Sequence, residues 1–414
     1  MKKLLPILLI GLLGITACSH LFNNGDPNAP KTLSRELTAS EKKLVKADHT
    51  FSYEIFSQTV AADKKANIFI SPLSISMALG MTMNGANGET KNVMKKALHV
   101  QELGQKSINE SYASLIELLS SADSKVDMKL ANSIWTRKGF LVQEEFTKTC
   151  KAFFKARVDS LDFSNSSAVD RINQWISDNT EGLIDAIIEG QIPDNVVMYL
   201  INAIYFKGNW RYRFDPENTT KDEFRFGGEA VNVDMMSQEN DFSAYISDQV
   251  RLLDLPYGDS LFTMTLMMPG DEHKSIEQFV QEDLSASNVD RWISKMSKGL
   301  TRIQVPKFQL EYNVTMNSIL KDMGMGNAFS KTEADFSNIN PYEQLFISKV
   351  LHKSFIKVDE EGTEAAAATS VSTGVTSVGP GIRTINFNRP FVFVIRERTS
   401  GTILFMGKMG NPGK

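Results

Sequence analysis

Apolar positions recur with a helical period in the first part of the chain and alternate as in strands further on. Over residues 41–60 they fall at Leu44, Val45, Phe51, Ile55, Phe56 and Val60, the spacing of an amphipathic helix. Asn67-Ile68-Phe69-Ile70 reads as a short strand, and Ser71-Pro72 opens a helix whose body, 73–83, is almost wholly apolar. A helix apolar all round is a buried one. Asn84-Gly85-Ala86-Asn87-Gly88 closes it with two glycines. Helices are predicted again over 90–98, 107–120, 144–154 and 169–179. Between them Met128, Leu130, Asn132 and Ile134 alternate with Lys129, Ala131, Ser133 and Trp135, as a long strand would. Residues 196–206 are apolar nearly throughout, which predicts a central strand covered on both faces. More strands follow at 252–255, 261–268, 301–308 and 346–358, and 391–396 with 403–408 makes a terminal hairpin. A little helix returns within 276–296 and at 314–323.

Helices early and strands late, with no βαβ repeat, predict an α+β fold with large mixed sheets. The length of 414 residues exceeds the ~250–300 at which single cores stop growing. No internal repeat or proline-rich linker divides the body, so one large domain is expected. Hydrophobic residues make up 42% and charged residues 23%, which excludes a coiled coil or a disordered chain. The net charge of −4 gives no global attraction to nucleic acid.

The N-terminus reads as an export signal. Lys2 and Lys3 precede an apolar run from Leu4 to Gly14, too short to span a bilayer at ~20 residues. Ile15-Thr16-Ala17-Cys18 then places a small residue before a cysteine, the pattern of a bacterial lipobox. Residues 1–17 are expected to be a lipoprotein signal peptide, with Cys18 lipidated and 18–40 a flexible tether. That predicts an exported, membrane-anchored protein at the outer membrane, cell surface or periplasm. Cys150, on a face with Phe146, Phe153 and Phe154, reads as a small buried apolar residue.

Enzyme chemistry finds no constellation. No G-x-S-x-G elbow, H-E-x-x-H pair or P-loop occurs, and the five histidines are scattered singly. Neither cysteine has zinc-ligand spacing, so neither a metal nor a cofactor is expected. Gly324-Met325-Gly326 reads as a helix end, and Asp359-Glu360-Glu361 as a solvated turn.

Residues 362–382 are the unusual stretch: small or β-branched side chains and a single charge, Glu364. The tail it precedes is too short for a core of its own, so this should be a long loop projecting from one domain, and such loops are usually functional. Thr363-Glu364-Ala365-Ala366-Ala367-Ala368, after Gly362, resembles the reactive-loop hinge of inhibitory serpins. Asn67 to Ile75 resembles that family's shutter, Leu200 to Trp210 its central strand, and Phe387-Asn388-Arg389-Pro390-Phe391 with Phe405-Met406-Gly407-Lys408 its C-terminal signature.

The resemblance runs from Leu44 to Pro412 and implies about nine helices around a large mixed five-stranded sheet, two smaller sheets and an exposed reactive-centre loop at 360–383. It implies a single domain over 41–414 that inhibits proteases and is not an enzyme. The cleaved loop would enter the sheet as a new strand and trap the protease as a covalent acyl-enzyme. Ser71, Ser74, Asn202 and His352 would cluster where strands part, and Trp210 would pack at the top of the opening. Counting from Gly362, the family's spacing puts the cut between Thr376 and Ser377, with Val375 and Val378 as alternatives; counting back from Phe391 gives Gly379. No Lys or Arg lies between Glu364 and Arg383, which points to elastase-like or subtilisin-like targets and papain-like cysteine proteases before trypsin-like ones. No basic stripe over 107–124 suggests a glycosaminoglycan partner, and a monomer is expected. The competing reading is a non-inhibitory serpin acting as a binding or chaperone module. Non-inhibitory members often carry bulky, charged or proline residues at the hinge; at the inward-facing positions Thr363, Ala365 and Ala367 this chain carries none.

Overall fold

Two sheets organise the molecule, and helices pack against both faces of one of them. The structure, a computed structural model, describes residues 31–194, 196–363 and 382–413, all within one compact unit. The expected signal peptide over 1–17, Cys18, the expected hinge residues 364–368 and the expected cut at Thr376-Ser377, with its alternatives Val375 and Val378, lie outside the described residues. Nine α-helices occur among the described residues. They are α1 (Ala39–Ala62), α2 (Pro72–Met83), α3 (Gly88–Ala97), α4 (Gln105–Ser120), α5 (Glu144–Phe154), α6 (Ser167–Asn179), α7 (Ile276–Glu282), α8 (Ala286–Ile293) and α9 (Asn317–Leu320).

The strands are β1 (Ile68–Ile70), β2 (Val126–Arg137), β3 (Arg157–Leu161), β4 (Met198–Asn209), β5 (Thr219–Phe226), β6 (Glu229–Ile246), β7 (Val250–Pro256) and β8 (Phe262–Pro269). They continue with β9 (Ser297–Pro306), β10 (Phe308–Thr315), β11 (Leu351–Val358), β12 (Gly362–Thr363), β13 (Arg383–Asn386), β14 (Phe391–Glu397) and β15 (Ile403–Met409). One sheet runs β10-β11-β12-β4-β2-β3. The other runs β1-β15-β14-β8-β7-β6-β9-β13, with β5 paired to β6.

The sequence pattern explains why β2 and β4 are central. Even-numbered residues of the pair, such as Met128, Ile134, Ile204 and Phe206, face the main core. Odd-numbered Trp135, Ile201 and Ala203 face a second cluster roofed by Ile172, Trp175 and Ile176 of α6. A strand buried on both faces reads as a continuous apolar run.

Several expectations need correction. The large sheet has six strands, because the two-residue β12 already sits within it; the two smaller sheets are joined into one of nine strands by the long β6, which pairs with β5, β9 and β7 in turn. The helix expected over 314–323 starts only at Asn317, because Val314 and Thr315 complete β10; it ends as expected at Gly324, whose φ is 94°. The strand expected over 346–358 begins only at Leu351. Residues 31–40 are not a free tether. Thr38 and Glu41 form a capping box, Arg35 makes two bonds to Glu41, and Leu33 joins the core. Cys150 is fully buried, and burial pushes its thiol up to about 12. No helix among the described residues is long and apolar enough to cross a membrane.

Candidate strand-insertion site

The six-stranded sheet is open along one seam. Among the described residues β4 and β11 share no ladder with each other; each meets only β12 on that side. Gly362 stands opposite Asn209 and Thr363 opposite Gly208, while Thr363 also faces Val358 of β11. Both contacts are antiparallel. The seam below β12 narrows to a slit of about 10 Å³ lined by Ile204, Phe206, Ile356 and Thr363. Further down, a cavity of about 290 Å³ opens between Met198, Leu200, Phe346 and Val350.

Close backbone approach explains the residues at the seam's upper end. A Cβ on residue 362 would overlap the Gly208 carbonyl oxygen and the Asn209 Cα, so only glycine fits. Thr363 is 3% exposed, and its hydroxyl shares a 2.5 Å hydrogen bond with that of Tyr257. The Tyr257 ring stacks on Trp210 at 4.5 Å and 16°. Trp210 in turn donates from Nε1 to the Asp359 carbonyl at 2.8 Å and from its backbone to Glu361 O, also 2.8 Å. Trp210 thus packs at the top of the opening.

The acidic turn there is not solvated as expected. Glu360 is 9% exposed, pairs with Lys307 Nζ at 2.8 Å and accepts from Thr219 Oγ1 at 2.8 Å. Burial alone would raise the Glu360 carboxyl, but the bonds from Lys307 and Thr219 hold it below its usual range. The sequence could not reveal this, because Lys307, between β9 and β10, and Thr219, at the start of β5, are distant along the chain.

Lower down, Ser71, Ser74, Asn202 and His352 come together beneath the sheet. Ser71 caps α2 by accepting from Ser74 N at 3.2 Å, and its hydroxyl donates to Leu404 O at 2.7 Å. Ser74 Oγ donates to Asn202 Oδ1, and Asn202 Nδ2 donates to Asn132 Oδ1 at 2.7 Å. His352 Nε2 accepts the Ser71 backbone N–H at 3.1 Å, which leaves the ring proton on Nδ1. Asn132 belongs to this network, and Ser354 lies beside it with its Oγ donating to Phe69 O at 2.6 Å; neither was singled out from the sequence. A signal existed. Each is a polar residue on the apolar face of an alternating strand, and such a group needs a partner.

Burial pushes the His352 imidazole down to about 4. An unfolded histidine titrates near ~6.5. The stability His352 contributes as a neutral group is therefore intact above pH 6.5 and lost as pH falls toward 4, about 3 kcal/mol in all. Asp48 acts oppositely. Burial raises it to about 7 against bonds from Tyr112 and Ser76, so its contribution fades as pH rises through that window. The His352 effect is read as a difference: His352→Gln should flatten the fall in melting temperature between pH 6.5 and 4. Parallel pH profiles for the two proteins would show that His352 does not titrate in the fold.

A polar network spanning a sheet, with an open seam above it and two residues already seated, is a structural basis for strand entry. The profile of the family described as "Serpin (serine protease inhibitor)" matches residues 46–412. The chain belongs to the serpin family. The human leukocyte elastase inhibitor is 34% identical over 384 residues, covering 90% of this chain and 100% of that one. A serpin-like protein of Thermococcus kodakarensis is 34% identical over 378 residues, covering 90% and 86%. The crystal structure of a thermophilic serpin, tengpin, in its native state superposes with a TM-score of 0.83 at 31% identity, covering 92% of this chain and 97% of that one. Many serpins are protease inhibitors, and the family is in the main not one of enzymes. In this serpin the expected shutter residues lie within one hydrogen-bonded network, and Gly362 and Thr363 sit in the seam.

Proposed function

We propose that this serpin is a suicide substrate for elastase-like and subtilisin-like proteases. The observation that carries the reading is the seam between β4 and β11, already entered by Gly362 and Thr363. Extending the two ladders places Ala365 opposite Phe206 and Ile356, Ala367 opposite Ile204 and Ser354, and Thr369 opposite Asn202 and His352. Thr373 would fall opposite Met198, the first residue of β4 and the end farthest from Gly362. All of these share the inward face of Thr363, and all are small or of modest size.

In the proposed reaction the protease serine attacks the Thr376 carbonyl and the Ser377 amine leaves with a proton. The ester that remains ties Thr376 to the protease. Thirteen residues separate Thr363 from Thr376, or ~43 Å at ~3.3 Å per residue. Insertion therefore carries the ester just beyond the far end of β4, away from the docking pole, before water completes the hydrolysis. The likeness to an elastase inhibitor and the lack of Lys or Arg from 365 to 382 both favour shallow apolar specificity pockets.

Incubation with pancreatic elastase should give a complex that survives boiling in detergent. Cleaved chain with the protease still active would instead favour a non-inhibitory serpin. We further propose that lipid on Cys18 holds the protein at a bacterial membrane. Cys18→Ala should then shift it from the membrane to the soluble fraction, and continued retention would count against lipid as the anchor.

A further inference from the structure

The outward face of the seam carries a charge pattern that the inhibitory reading does not use. Because Thr363 stands opposite Gly208 and Val358, the next strand position down is flanked by Lys207 of β4 and Lys357 of β11. Both are odd-numbered, on the face away from the main core. Lys207 is half-buried, has no ion pair among the described residues, and stands opposite Asp127 of β2. Lys357 is exposed, and its ion pair is with Asp359 at 3.3 Å, beyond the end of its own strand. Two cations therefore flank one open strand position, their backbones ~10 Å apart at ~4.8 Å per strand spacing.

We propose that Lys207 and Lys357 form a carboxylate-receiving pair that fixes the register of the entering strand, and that its occupant is Glu364 of this chain. The proposal rests on the insertion reading above. Three observations select the occupant. Glu364 follows Thr363 directly, it is the single charged residue from 363 to 382, and its sign is opposite to that of both lysines. With it in place, the row across the sheet reads Asp127, Lys207, Glu364, Lys357, alternating in sign. Opposite charges directly across a ladder attract.

The alternatives are penalised. A slip of one residue turns Glu364 inward, beside Phe206 and Ile356 or against Gly208 and Val358, where a carboxylate is buried without a partner. A slip of two deeper sets it between Tyr205 and Phe355, beside the apolar cluster under α6. The other side chains of the segment are small and nearly interchangeable, and register is weakly specified in such strands. One acidic residue read by two lysines supplies the mark.

The test compares wild type, Glu364→Gln, the double variant Lys207→Glu/Lys357→Glu, and that double variant combined with Glu364→Lys. Two quantities are read with pancreatic elastase: inhibitor molecules cleaved per protease trapped, and the melting temperature of the loop-cleaved chain. Glu364→Gln should raise the cleaved-to-trapped ratio about threefold to tenfold and lower the melting temperature of the cleaved form but not of the uncut one. The double variant should be worse still, and the added Glu364→Lys should recover most of the loss, which a merely steric role would not allow. If wild type traps protease but Glu364→Gln matches it on both readouts, the lysine pair is overturned and the inhibitory reading stands. The pair is equally overturned if the triple variant is no better than the double. If wild type neither traps protease nor melts higher after cleavage, the inhibitory reading falls and takes the pair with it. Should the double variant fail to fold, the substitution Glu364→Gln alone decides.

Discussion

Thr363→Arg is expected to turn the inhibitor into a substrate, with nearly every encounter ending in cleaved chain and released protease. Thr363 is 3% exposed and bonded to Tyr257 beneath the sheet, so an arginine there would bring an unpaired charge into a buried site. The effective cost of such a charge is several kcal/mol. Even about 3 kcal/mol slows entry of the strand ~100-fold, long enough for water to hydrolyse the acyl-enzyme. The uncut protein should remain folded, because the substitution ejects only the two residues of β12 while the Trp210–Tyr257 stack and the network around His352 persist. The check is the ratio of trapped to cleaved product on a denaturing gel, alongside the melting temperature of the uncut variant. An unchanged ratio would remove insertion at Thr363 from the mechanism.

The second large effect concerns energy. Ordering a strand costs ~1–2 kcal/mol per residue, and each net hydrogen bond returns ~0.5–1.5. On those terms alone, insertion of a free strand roughly breaks even. The seam adds what an isolated strand lacks. Among the described residues two strand edges, on β4 and β11, have no ladder partner below β12, and a cavity of about 290 Å³ lies at the lower end of the seam. An entering strand completes both ladders at once and fills space that no side chain of the uncut fold occupies. Around ten such ladder bonds at ~1 kcal/mol each correspond to a rise in melting temperature on the order of 10–20 °C.

Much of this was legible from the chain. The alternation in 128–135 identified a long strand, and the structure shows why both registers of it are apolar: one faces the main core, the other the cluster under α6. Ser71, Ser74, Asn202 and His352, expected from the resemblance to cluster, do share hydrogen bonds. What escaped was set by tertiary pairing. Tyr257, whose hydroxyl meets Thr363, gives no local sign of that role. Glu360 reads as a solvated acid until Lys307 and Thr219 arrive from distant parts of the chain. The helix expected from 314 began too early, because Val314 and Thr315 still pair with β11, and the strand expected from 346 overran into the cavity wall, where apolar residues serve a surface other than a ladder. Asn132 was recoverable, since an asparagine on an apolar strand face signals a buried partner.

The most direct measurement is the melting temperature of the wild-type chain before and after one cut in the loop, with the cut position fixed by mass spectrometry. A rise on the order of 10–20 °C is predicted, with both fragments held together in one particle. Equal melting temperatures before and after the cut would contradict the account, because the open seam would then hold no energy for a strand to release.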